Sequence, residues 1–96
     1  MRRLITAALL ALALGSAQAA TQMEQLAKQM HPSEFPAQIE KLLNSGKAAQ
    51  ALELADLGIR KNERSPQLRF MRAVALENLT RSEEAVRELK QLIIDY

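Results

Sequence analysis

The chain has 96 residues, room for one small domain and not for several. It has no Cys, no Trp, one Tyr and two Phe, which excludes a disulfide scaffold and leaves the core to Leu, Ile, Val, Ala and Met. Thirteen basic and 11 acidic residues give a formal net charge of +2, but Arg2 and Arg3 supply that surplus, so the rest of the chain is balanced and lacks a nucleic-acid signature.

The start of the chain has three parts. Met1-Arg2-Arg3 is basic, Leu4 to Leu14 is an apolar run rich in Ala and Leu, and Ala17-Gln18-Ala19 has the A-x-A form of a cleavage site. Together they predict a cleavable signal peptide over residues 1–19 and a periplasmic or secreted mature protein. The apolar run is 11 residues, too short to span a bilayer, so no membrane association is expected after cleavage. No Cys follows, which excludes a lipoprotein anchor.

Residues 20–32 admit two readings. Met23, Leu26, Ala27 and Met30 recur at helical spacing and suit a short amphipathic helix, while a segment just after a cleavage site is often a flexible leader. His31-Pro32 ends it either way, because the residue before Pro avoids the helical region.

Four helices are predicted beyond that point. The first runs from about Glu34 to Asn44, capped by Ser33, with Phe35, Ile39, Leu42 and Leu43 apolar and Pro36 in its first turn. Ser45-Gly46 ends it, Gly46 suiting the left-handed position. The next covers about Lys47 to Lys61, with Ala48, Ala51, Leu52, Ala55 and Ile59 on one face. Ser65-Pro66 opens a third helix to about Asn78, a capping Ser followed by Pro at the first helical position. After Thr80-Arg81, Ser82 is expected to cap the last helix, with Glu83 and Glu84 in its first turn and Ala85, Val86, Leu89, Leu92 and Ile93 apolar. No segment alternates at period two for long enough to be a strand, so the fold class is all-α.

These helices form two hairpins, about 33–65 and 66–96, which fall into register when slid by 34 residues. Leu42 then meets Leu76, Asn44 meets Asn78, Ala51 meets Ala85 and Ile59 meets Ile93. A helix–turn–helix period of 34 residues resembles that of the tetratricopeptide repeat, here in an exported bacterial setting. Ala51 and Ala85 match the family's early small residue of the second helix, and Ala73 its small residue in the first helix, where Ile39 departs. The Trp and the Leu-Gly pair are absent, and the turn Gly, present as Gly46, is Thr80 in the second hairpin. The resemblance implies antiparallel helical hairpins of a solenoid that bind a peptide along the groove lined by the first helix of each hairpin. The residues it places there are Glu40, Leu43 and Asn44 in the first hairpin and Phe70, Val74, Glu77 and Asn78 in the second.

Nothing in the sequence points to catalysis. His31 is the only His and lacks a Cys or His partner, the adjacent Glu83 and Glu84 point apart on a helix, and no Gly-rich phosphate loop is present. No cofactor and no metal are expected. The densest basic stretch, Arg60-Lys61 to Arg64 with Arg69 and Arg72, is interleaved with Glu63 and Glu77 and suits an acidic partner peptide or a solvated face better than nucleic acid. The expected function is an exported binding or scaffold module, not an enzyme, that holds a protein or peptide partner in envelope assembly. The alternatives are a noncatalytic N-terminal region of a larger envelope enzyme and a structural module that self-associates through its C-terminal hairpin.

Overall fold

The computed structural model describes residues 22–62 and 65–96, and the expected signal peptide lies outside them. Among the described residues the regular structure is entirely helical. Residues 22–29 form α1, followed by a single 3-10 turn, Pro32–Glu34, and then α2 (Phe35–Asn44), α3 (Ala48–Lys61), α4 (Pro66–Asn78) and α5 (Ser82–Asp95).

The 20–32 segment is therefore helical over most of its length and belongs to the core. Ala27 and Met30 are buried with Phe35, Ile39, Ala51, Leu54 and Ala55. Lys61, at the end of α3, donates to the carbonyls of Ala27 and Met30. An ammonium there satisfies backbone acceptors left over at a helix C-terminus and opposes its negative dipole end. The same Nζ lies 5.6 Å from the centre of the Phe35 ring. Because Phe35 opens α2 and Lys61 closes α3, those two helices run antiparallel. Arg69 near the start of α4 meets Asp95 at the end of α5, which sets the second pair antiparallel as well.

Both hairpins turn in the same way, bond for bond. In the first, the Lys47 N–H donates to the Leu42 carbonyl at 2.9 Å and the Gly46 N–H to that of Leu43 at 3.1 Å. In the second, Arg81 donates to Leu76 and Thr80 to Glu77, both at 2.9 Å. Each pair of bonds is a Schellman motif, which requires one left-handed residue. Gly46 has φ 74° and Thr80 has φ 59°, so a β-branched residue occupies the conformation that Gly adopts freely.

Two expected caps are not there. Ser33 does not cap α2: the residue before that helix is Glu34, with no side-chain cap bond. The His31–Pro32 step is extended, and His31 caps the 3-10 turn instead, its Nδ1 accepting from the Ser33 N–H at 3.2 Å and lying 2.8 Å from the Ser33 hydroxyl. Ser82 is the first residue of α5, and Arg81 before it makes no side-chain cap bond. The Schellman bond holds Arg81 at the junction between turn and helix, which moves Ser82 one place into α5. Ser65 does cap α4, its Oγ accepting from the Leu68 N–H at 3.2 Å.

Close approach of the helices depends on small residues. Ala51, Ala55, Ala75 and Gly58 are all buried. A Cβ on Gly58 would stand 2.9 Å from Phe35 Cδ1 and 3.1 Å from Leu68 Cδ1, so α2, α3 and α4 meet at a point where only hydrogen fits. Leu68 and Ala75 of α4 join the core of the first hairpin, with Met71 packed against it. Thus α4 is at once the first helix of the second hairpin and the cover of the first.

Candidate functional site

The second-hairpin residues expected to line a groove come together. Phe70, Val74, Glu77 and Asn78 all border one cleft of about 270 Å³ between α4 and α5. Ala73 of α4 and Ala85, Val86 and Leu89 of α5 complete its wall. The helical period explains the grouping, since residues 70, 74, 77 and 78 fall on one face of α4. The cleft is mainly apolar, with Ala73 and Ala85 buried at its floor and Phe70 and Val86 about half exposed, at 52% and 47%. Glu77 and Asn78 are exposed at the end where α4 turns toward α5.

The first-hairpin residues are arranged differently. Glu40 and Asn44 are exposed, while Leu43 is half-buried against the core. None of the three borders the α4–α5 cleft. The equivalence of Asn44 and Asn78 is real in position, each being the last residue of its helix. Only Asn78 belongs to the cleft.

Moving back by 34 positions explains why. Three of the residues bordering the α4–α5 cleft, Ala73, Ala85 and Leu89, correspond to Ile39, Ala51 and Ala55 of the first hairpin, which are fully buried, whereas Glu40 and Asn44, the counterparts of Val74 and Asn78, are exposed. Leu68 and Ala75 of α4 share the buried cluster with Ile39, Ala51 and Ala55, and Met71 packs against it. Among the described helices none lies over the second groove. Val86, Ile93 and Ile94 of α5 are exposed large apolar residues.

The basic side chains that sequence reasoning offered to an acidic peptide are largely engaged inside the chain. Arg69 Nη1 lies 2.7 Å from Asp95 and its Nε 3.3 Å from Glu88. Arg72 Nε lies 2.5 Å from Asp56 of α3, and its Nη1 3.5 Å from Glu88. The hydrogen bonds from Arg69 and then Gln91 hold the Asp95 carboxyl below its ordinary pKa, and Arg81 does the same for Glu84. Arg64 lies outside the described residues. Sequence reasoning missed this ionic set because its members are 16 to 26 residues apart and belong to three helices. The signal was available in the repeat register: Arg69, Glu88 and Asp95 stand where the first hairpin has Phe35, Leu54 and Lys61.

His31 is exposed and bonded to Ser33. Among the described residues no group of three His, Asp or Glu side chains is placed to hold a metal ion, and no helix is long and apolar enough to cross a membrane. No protein-family model matches the chain, and no curated protein or solved structure matches it either.

Proposed function

We propose that this chain is an exported, noncatalytic binding module of tetratricopeptide-like hairpins that holds a protein partner in the cleft between α4 and α5. The observation that carries the proposal is the open cleft itself. Three of its lining residues stand 34 positions after Ile39, Ala51 and Ala55, which the first hairpin buries in one cluster with α4, and its apolar walls include the half-exposed Phe70 and Val86. Apolar concavities bordered by a few polar groups are the usual form of a recognition site, and Glu77 and Asn78 supply such groups at one end. The repeated Schellman turns and the 34-residue register support the tetratricopeptide-like assignment. The basic start, apolar run and A-x-A exit support export to the periplasm or beyond.

The test is capture from envelope extract with the chain as bait, run beside Phe70→Glu and Val74→Lys. These residues are partly exposed, so both variants should keep the thermal melt of the parent. Loss of the captured partner in both, with the melt unchanged, is the expected result. Equal capture by all three baits would refute the cleft as the binding site.

A second reading has an observation of its own. Ile93 and Ile94 are 77% and 76% exposed on α5, and self-association would cover them. Sedimentation at several concentrations distinguishes the two, because a monomer throughout the range leaves only the partner-binding reading.

A further inference from the structure

The partner can be described more closely, and this description rests on the binding-module reading above. The α4–α5 cleft is apolar along its length and acidic at one end. Glu77 is its one charged lining residue, with the Asn78 amide beside it. Both are exposed, and Glu77 enters no ion pair among the described residues. Arg81, the nearest base in the sequence, is held by Glu84 at 2.7 Å.

The helix dipole makes that end more negative still. A helix C-terminus attracts cations and disfavours acids, and the other described helix ends are matched accordingly. Lys41 lies in the last turn of α2, and Arg60 and Lys61 in that of α3. Lys61 also donates to the closing carbonyls of α1, its Nζ 5.6 Å from the centre of the Phe35 ring. α5 ends on Asp95, which Arg69 answers at 2.7 Å. The last turn of α4 has no base and carries Glu77. In the first hairpin the position of Glu77 belongs to Leu43, half-buried against the core, so the repeat itself does not call for an acid there. A negative pole therefore opens on an apolar cleft, and no described base pairs with it.

Phe70 marks the opposite end of the cleft. It is 52% exposed and lies two turns before Glu77 on the same face of α4, about 10 Å away. α5 runs antiparallel, with Arg72 beside Glu88, so Leu89 stands near Phe70. We infer that the cleft receives a segment of a partner protein that sets an apolar side chain against Phe70 and Leu89 and, about 10 Å further along, a lysine or arginine against Glu77. The charge sought in the partner is basic, the opposite of what the basic stretch of the sequence suggested, because Arg69 and Arg72 are paired inside the chain.

The experiment selects peptides from a random library displayed on phage, with the immobilised chain and its Phe70→Glu, Glu77→Gln and Glu77→Lys variants as parallel targets. All the substitutions are at exposed positions, so each variant should keep the parent's melt. The chain is expected to enrich sequences with an apolar and a basic residue at that separation, about three residues of extended chain or about seven of helix. Selection on Phe70→Glu should lose them. A synthetic copy of the leading peptide should bind Glu77→Gln about twofold to fivefold more weakly than the parent, the range of one exposed ion pair, and the difference should shrink in high salt. Selection on Glu77→Lys should exchange the basic residue for an acidic one. Peptides that need Phe70 but bind Glu77→Gln as tightly as the parent would overturn the basic partner and leave the binding-module reading in place. Peptides indifferent to Phe70→Glu would refute the cleft as their site and with it both readings. No enrichment on the parent over Phe70→Glu would overturn a peptide segment as the occupant, and the capture experiment then decides whether the cleft holds a protein. Sedimentation showing a dimer that Glu77→Gln disperses would identify a second copy's base as the occupant and overturn the foreign segment.

Discussion

The two hairpins share a backbone and differ in what surrounds them. Their turns carry the same hydrogen bonds 34 residues apart, yet Phe35, Leu54 and Lys61 of the first correspond to Arg69, Glu88 and Asp95 of the second. In the first hairpin Phe35 and Leu54 are buried in one cluster with Ala27 of α1 and Leu68 of α4, and the Lys61 ammonium lies over the Phe35 ring. In the second, described helices cover one side only, and an ionic network takes the place of the apolar set. The period fixes the path of the chain, whereas the number of neighbouring helices decides whether a given position is apolar or charged.

This contrast predicts a marked asymmetry in stability. Phe35→Ala should destabilise the chain by about 3–5 kcal/mol, since the ring is fully buried and its neighbours cannot close the space. Arg69→Ala, at the equivalent place, should cost far less, because ion pairs with partly exposed partners contribute little. Urea denaturation of the two variants checks this, and equal losses would contradict the difference between the hairpins.

Gly58→Ala comes next in size. The added methyl meets the Phe35 ring at 2.9 Å, and overpacking of roughly 1–3 kcal/mol should exceed the gain of about 1 kcal/mol in helix propensity. A lowered urea midpoint is expected. A raised midpoint would mean that α2 and α3 can separate without cost.

The turns supply a prediction of opposite sign. Thr80 adopts φ 59°, where an L residue with a branched Cβ is strained, so Thr80→Gly should stabilise by about 1 kcal/mol. Gly46→Thr should destabilise by a similar amount, which would make the first turn as strained as the second. Thermal melts of the pair test whether the two turns are conformationally equivalent.

The smallest expected effect is on pH dependence. The Arg69 guanidinium lowers the Asp95 pKa, and Arg81 lowers that of Glu84. A carboxyl depressed in the folded state stabilises above its unfolded pKa of about 4, and that contribution is lost as pH falls through the folded value. Both carboxyls are at the surface, so the change should be slight. Arg69→Gln should flatten the acid limb of a stability-against-pH curve, and an unaltered limb would show that the pair contributes nothing to folding.

Much of this was legible in the sequence where one local rule decided the outcome. Ser65-Pro66 announced α4, Gly46 its left-handed turn, and the spacing of Ala51, Ala55 and Ala85 the close packing. Phe70, Val74, Glu77 and Asn78 border one cleft, and the helical period alone puts them on one face. What failed depended on partners distant in the chain. Ser82 looked like a cap, but a bond from Arg81 back to Leu76 moved it into the helix. Arg69 and Arg72 looked free until Asp56, Glu88 and Asp95 were brought beside them. The family resemblance placed Glu40, Leu43 and Asn44 at the groove as well; Glu40 and Asn44 are exposed, Leu43 is half-buried, and none borders the α4–α5 cleft.

The central claim is that equivalent grooves are closed by α4 in the first hairpin and by a partner in the second. A photoreactive amino acid at Val86, compared in living cells with the same group at Leu52 one period earlier, tests it most directly. The account predicts a covalent adduct of higher mass with another protein from position 86 and only unshifted chain from position 52. Adducts from both positions, or from neither, would contradict it.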